Sequence, residues 1–121
     1  MTANPHRLTM PEPTEAQVLA AVQQALNHHH AVAWHQRMNT GAGKLVYQDG
    51  EISRFLRFGF PGCPDIIGQL RDGRFFAVEV KRPSGTLSGE QSQFLKLVRG
   101  NGGVGFVARR VEDVFSALGG A

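Results

Sequence analysis

Two apolar runs, Ile66-Ile67-Gly68-Gln69-Leu70 and Phe75-Phe76-Ala77-Val78, flank the dipeptide Asp72-Gly73. Asp65 stands at the outer end of the first run, and Glu79 and Lys81 at the outer end of the second. An Asp-Gly pair between two such runs is a strong hairpin signal. The second run reads as a strand buried on both faces. Side chains alternate along a strand, so Glu79 and Lys81 project from the same face. A carboxylate and an ammonium in such a place are costly unless paired or bound to an ion. Two readings are open for them, a buried structural ion pair or a chemical site.

Asp65 bears on that choice through the register. A two-residue turn pairs Arg71 with Arg74 and sets Asp65 opposite Val80, on the wrong face. A three-residue loop, Arg71-Asp72-Gly73, pairs Leu70 with Arg74 and sets Asp65 opposite Glu79. Gly73 suits the left-handed position of that loop, so the longer loop is the expectation. Directly opposed residues hold their Cβ atoms about 5 Å apart, close enough for two carboxylates to share one cation. Hard carboxylate oxygens suit Mg²⁺, with Mn²⁺ as a substitute, and the Val80 carbonyl is a candidate third ligand. Lys81 would hold or deprotonate a water and stabilise charge developing on a phosphate.

The rest of the chain supplies a scaffold. Residues 1–13 hold three prolines and read as a flexible lead-in, ahead of one domain over 14–121. Thr14 and Gln17 fit a capping box for a first helix whose apolar face is Val18, Val22, Ala25 and Leu26. A strand over Ala31–Arg37 is expected to turn Val32 and Trp34 to one face. Asn39–Gly50 reads as a mobile loop and Ser53–Phe58 as a short strand. Ser88 and Gln91 form a second capping box, before the stripe Phe94, Leu95, Val98. Val104–Ala108 follows as a buried strand and Val111–Leu118 as a closing helix. A helix between Lys81 and Val104 allows a parallel crossover, so the expectation is an α/β fold, a mixed sheet flanked by helices.

Composition narrows the setting. The single cysteine, Cys63, excludes an internal disulfide framework. No apolar run approaches the ~18 residues of a membrane-spanning helix. Residues 1–13 lack the apolar core of a signal peptide, so a cytoplasmic protein with no membrane partner is expected. Thirteen basic residues against ten acidic give a net charge of +3. If acids are hidden on a metal, the exposed surface is more basic and attracts polyanions.

Pro64-Asp65, a gap of 13 residues and Glu79-Val80-Lys81 match the PD-(D/E)XK nuclease motif. The flanking segments are more specific: Arg57-Phe58-Gly59-Phe60-Pro61-Gly62-Cys63-Pro64-Asp65-Ile66-Ile67-Gly68, Glu79-Val80-Lys81-Arg82-Pro83-Ser84-Gly85, Leu87-Ser88-Gly89-Glu90-Gln91 and Gly102-Gly103-Val104-Gly105-Phe106-Val107. With Thr14-Glu15 and Arg37-Met38-Asn39-Thr40-Gly41, these resemble the VRR-NUC domain, a branch of that superfamily, over about residues 14 to 118. Cys63 departs from the family, which more often has another small residue there.

The resemblance implies a restriction-endonuclease-like αβββαβ core and Mg²⁺-dependent phosphodiester hydrolysis leaving a free 3′-hydroxyl. It implies Asp65 and Glu79 as metal ligands and Lys81 as the catalytic lysine. Glu15 would be an extra acid, or else a partner of its helix dipole. Gln91 would orient Lys81 or the water, or else serve only its capping box. Stand-alone members look like phage or bacterial homodimers acting on branched DNA such as four-way (Holliday) junctions, where twofold symmetry supplies two cuts. The alternative function is a DNA-binding module of the same fold that does not cut, or a nuclease for other ends or flaps.

Arg37, Lys44, Arg57 and Arg82 are candidate phosphate contacts. Phe55, Phe58 and Phe60 read as core or dimer contacts rather than base wedges. His28, His29 and His30, adjacent at a helix end, point in different directions and make a poor metal site. Gly41-Ala42-Gly43-Lys44 lacks the spacing and the following Ser/Thr of a phosphate loop, so no nucleotide cofactor is expected.

Overall fold

Thr14 caps helix α1 (Glu15–His28) through the reciprocal bonds of a capping box with Gln17. The buried stripe of α1 is Val18, Val22 and Leu26, as its helical spacing requires. This computed structural model describes residues 10–38, 41–46 and 52–120, and for 41–46 and 52–58 the backbone pairing alone. Strand β1 (Val32–Arg37) follows α1. Its register against β4 (Ile66–Leu70) slips between Val32 and Trp34. The bulge overturns the expectation that Val32 and Trp34 share a face: one added residue reverses the alternation. Val32 is buried, whereas Trp34 is exposed and its Nε1 donates to Gln69 Oε1 at 3.0 Å.

The stretch expected to be a loop is partly strand. Gly41–Val46 forms β2 and pairs antiparallel with β3 (Ile52–Phe58) as a separate two-stranded sheet. The glycines masked the signal, which lay in Leu45-Val46-Tyr47 before the Asp49-Gly50 turn dipeptide. Residues 39–40 and 47–50, the remainder of that expected loop, lie outside the described residues.

The main sheet runs β1-β4-β5-β6, with β5 (Phe75–Val80) antiparallel to β4 and parallel to β6 (Val104–Ala108). The crossover between β5 and β6 carries α2 (Gly89–Gly100), and α3 (Val111–Leu118) closes the chain. Without the β2–β3 insertion the order is αβββαβ followed by the closing helix α3, a mixed sheet with helices on both faces. This is the α/β, restriction-endonuclease-like core that the sequence led us to expect.

The two faces of β5 meet different helices. Phe76, Val78 and Val80 enter the larger core with Val18, Val22 and Leu26 of α1 and Val114 of α3. Ala77 packs with Leu95 and Val98 of α2. Glu79, on the Ala77 face, is therefore delivered beneath α2. Gly68 lets β4 lie this close: a Cβ there would meet the Phe76 ring at 2.4 Å and the Trp34 carbonyl oxygen at 2.5 Å. Among the described residues no helix is long and apolar enough to cross a membrane.

Candidate active site

The β4–β5 loop sets the site. Gln69 pairs with Phe75 and Ile66 with Val78, and the Leu70 N–H donates to the Arg74 carbonyl at 2.8 Å. The three-residue loop Arg71-Asp72-Gly73 thus forms, with Gly73 at φ 97°. Continuing the register by one residue sets Asp65 opposite Glu79. Asp65 itself precedes β4, and its carbonyl accepts the Met38 N–H at 2.7 Å. Its carboxylate is fixed as well, Oδ2 accepting the Val80 N–H at 2.7 Å.

Glu79 is only 2 % exposed. Burial first, and then the Asp65 charge and its carboxyl contact, push the Glu79 carboxyl up to about 9. Lys81 acts in the opposite direction, with its Nζ 3.9 Å from Glu79 Oε1 and 3.9 Å from Glu15 Oε1. Those distances are long for an ammonium–carboxylate pair. Gln91 Nε2 donates to Glu79 Oε1 at 2.8 Å, while Gln91 Oε1 accepts the Ser88 N–H at 2.9 Å. Helix α2 therefore fixes the acid through the same side chain that caps the helix.

This donor set fits a hard divalent ion. Two carboxylates converge across the ends of β4 and β5, and one of them, Asp65, also lines a cavity of about 250 Å³ with Glu15, Arg37, Met38 and Val80, which Glu79 does not border. The N–H and C=O of an extended residue leave the same edge of a strand, so the Val80 carbonyl is directed to the Asp65 side. Among the described residues no three His, Cys, Asp or Glu side chains form a ready-made metal cage. Two carboxylates completed by a carbonyl and water are the habit of Mg²⁺ and Mn²⁺ rather than of Zn²⁺.

The structure sorts the remaining candidates. Glu15 is the first residue of α1, where its charge suits the helix dipole, and its Oε1 lies 3.9 Å from Lys81 Nζ. Gln91 donates to Glu79 and accepts from Ser88, so it serves its capping box and also reaches the acid. Arg37 is exposed at the end of β1 and lines the Asp65 cavity. Arg82 is bound by Glu12. Lys44, Phe55, Arg57 and Phe58 have side chains outside the described ones, although their backbones lie in β2 and β3. Phe60 is exposed and meets Phe94 of α2 in a tilted ring pair, with centroids 5.1 Å apart and planes at 54°.

His29 is buried in the fold, its Nδ1 accepting the Ala31 N–H and its Nε2 meeting the Gly119 carbonyl at 2.8 Å. Sequence reasoning did not single out Glu12, Ser84 or Arg109. Arg109 Nη1 donates to the carbonyls of Arg82, Pro83 and Gly85, holding the turn that follows Lys81. Nothing in the local pattern joins residues 109 and 82; the parallel pairing of β5 with β6 does so.

An αβββαβ core with an acid pair and a lysine at the ends of its central strands defines the restriction-endonuclease-like class of proteins. Comparison with family models is consistent with this. The VRR-NUC domain model matches residues 4–112, nearly the whole chain, and the chain belongs to that family of nuclease-type domains. No curated protein matches it.

Proposed function

We propose that this chain is an Mg²⁺-dependent endonuclease that hydrolyses DNA phosphodiesters, selects branched structures such as four-way junctions and works as a homodimer. The observation that carries the reading is the convergence of Asp65 and Glu79 across β4 and β5, with Lys81 on the same face as Glu79. Membership of a nuclease family supports the reaction class.

Asp65 and Glu79 would hold the ion, with the Val80 carbonyl beside them. Bound there, it supplies charge neutralisation to a phosphate oxygen and acidity to water. The Val80 N–H fixes the Asp65 carboxylate and Gln91 fixes the Glu79 carboxylate, so both acids are positioned before any ligand arrives. The Lys81 ammonium, on a rigid strand end, donates to the attacking water or to a phosphate oxygen as charge grows there. Arg37, beside the Asp65 cavity, contacts a neighbouring phosphate, with Lys44 and Arg57 as further candidates.

The test is incubation of labelled four-way junction, flap and linear duplex with Mg²⁺, Mn²⁺ or EDTA. Cutting that needs the metal and favours the junction supports the reading. Equal cutting of all three ends the junction preference. No cutting with any divalent ion leaves a non-cleaving DNA-binding module. Sedimentation of the pure protein tests the dimer.

A further inference from the structure

Immediately after Lys81 the chain makes a turn in which Arg82 and Ser84 both donate to one carboxylate, that of Glu12, while the Gly85 N–H closes the turn on the Arg82 carbonyl at 2.9 Å. Arg82 Nε and Nη2 both lie 2.5 Å from Glu12 Oε1. Ser84 Oγ reaches the same oxygen at 2.5 Å, and the Ser84 N–H donates to Oε2 at 3.2 Å. A guanidinium side, a hydroxyl and a backbone N–H converging on two oxygens form an anion seat, and the same fork recognises carboxylate and phosphate.

The backbone of the turn has a support other than Glu12. Arg109 braces the turn from the other side by donating to the Arg82 and Pro83 carbonyls at 3.1 and 3.3 Å and to that of Gly85. The Lys81 N–H is tied to the Ala108 carbonyl at 3.0 Å. Glu12 enters from a different part of the chain, three residues ahead of Glu15, which itself reaches Lys81. One acidic segment thus lies across both cations at the end of β5. The pair is half in water, with Arg82 side-chain exposure 52 % and Glu12 28 %, so the clasp is open to exchange.

We propose that Arg82 and Ser84 form a seat for a phosphodiester of the nucleic-acid strand and that Glu12 fills it in the free protein as an internal competitor. The inference rests on the nuclease reading above and adds to it a strand contact and a segment that must withdraw. Strand binding exchanges one anion for another in a preformed site, and every DNA complex must first release Glu12.

The test measures binding of the full chain to labelled four-way junction in EDTA, so that nothing is cut. Glu12→Gln is expected to tighten binding about 3- to 10-fold at low salt, and Arg82→Gln to weaken it and reduce the salt slope by about 1. In the Arg82→Gln background, Glu12→Gln should have no effect. Glu112→Gln, an exposed acid on α3, controls for the loss of a charge, and an equal gain from it overturns the proposal.

A second readout does not need DNA. Dimethyl phosphate, a phosphodiester in miniature, is expected to shift the Ser84 amide resonance saturably in the Glu12→Gln protein and at least about 5-fold more weakly in the wild type. No saturable shift in the variant overturns the seat. A shift from inorganic phosphate alone, without dimethyl phosphate binding or a change in DNA affinity, assigns the seat to a free anion and overturns the strand contact. A wild type that cuts nothing sinks the nuclease reading, while the Ser84 titration still decides the seat.

Discussion

Two charge clusters adjoin at the end of β5, and they are built on opposite terms. In the buried one, Asp65 and Glu79 are forced together and Lys81 stays 3.9 Å away. In the exposed one, Glu12 meets Arg82 at 2.5 Å. The exposed pair is close although water screens it, whereas the buried acid is held neutral by its surroundings, with no cation closer than 3.9 Å among the described residues. Selection for stability alone would favour an apolar residue over a buried carboxyl, and exposed pairs contribute little. The proposed function accounts for the difference: on that reading the buried cluster is shaped for an ion, and the exposed cluster is a contact that can be given up.

The largest effects should come from the buried cluster. Asp65→Asn or Glu79→Gln is expected to lower metal-dependent DNA cleavage by about 10³-fold or more, because each removes a charged ligand and the transition-state stabilisation it supports. Gel assays of single-turnover cleavage measure this, with circular dichroism confirming the fold. Activity retained in either variant breaks the comparison, leaving a structural acid pair. Gln91→Ala acts through Glu79 and should lose about 10- to 100-fold, with weaker Mg²⁺ dependence as its signature. Ser88→Ala removes only the cap, at about 1 kcal/mol, and should change thermal stability more than metal affinity.

Much of the buried cluster was legible in the sequence because few physical choices were open. Gly73 selected between two turn lengths, and only one returns Asp65 to Glu79. Both capping boxes were local patterns of four residues, and the structure contains them as read. What escaped depended on long-range pairing. Ala33 bulges because β1 must follow a neighbour whose position residue 33 cannot announce, and Trp34 turned outward with it. Glycines hid β2, whose partner strand made it a strand. The contact of Glu12 with Arg82 spans 70 residues, and no periodicity encodes it. The role of Gln91 was half visible, since its capping partner is local and its bond to Glu79 is not.

The buried cluster also has a pH signature in the metal-free protein. Glu79 is raised from 4.5 to about 9, so the folded state holds a proton that the unfolded state releases. The stability this provides is complete below pH 4.5 and is lost as pH rises towards 9. Glutamine at 79 keeps the neutral form at every pH. In EDTA, the melting temperature of Glu79→Gln should match the wild type near pH 4.5 and exceed it increasingly up to pH 9. Equal melting at pH 8 would mean that Glu79 ionises freely, and the contrast between the clusters would lose its basis. Saturating Mg²⁺ should close the gap from the other side, by stabilising the wild type alone.

The smallest effect sharpens the contrast most. Glu12→Gln removes an exposed pair, so its melting temperature in EDTA should move by no more than about 2 °C at low salt. At 1 M salt the screening length falls to about 3 Å, and even that difference should vanish. The Glu79→Gln gap arises mainly from desolvation, which mobile ions do not screen, and should survive the same salt. Melts of both variants at 0.05 and 1 M NaCl therefore separate the clusters by mechanism. If the Glu79 gap also collapses in salt, water and ions reach that carboxylate freely, and its high proton affinity has been produced by the Asp65 charge rather than by burial. If Glu12→Gln unfolds the chain early, Glu12 anchors the start of α1, and its withdrawal to admit a phosphate would carry Glu15 away from Lys81 as well.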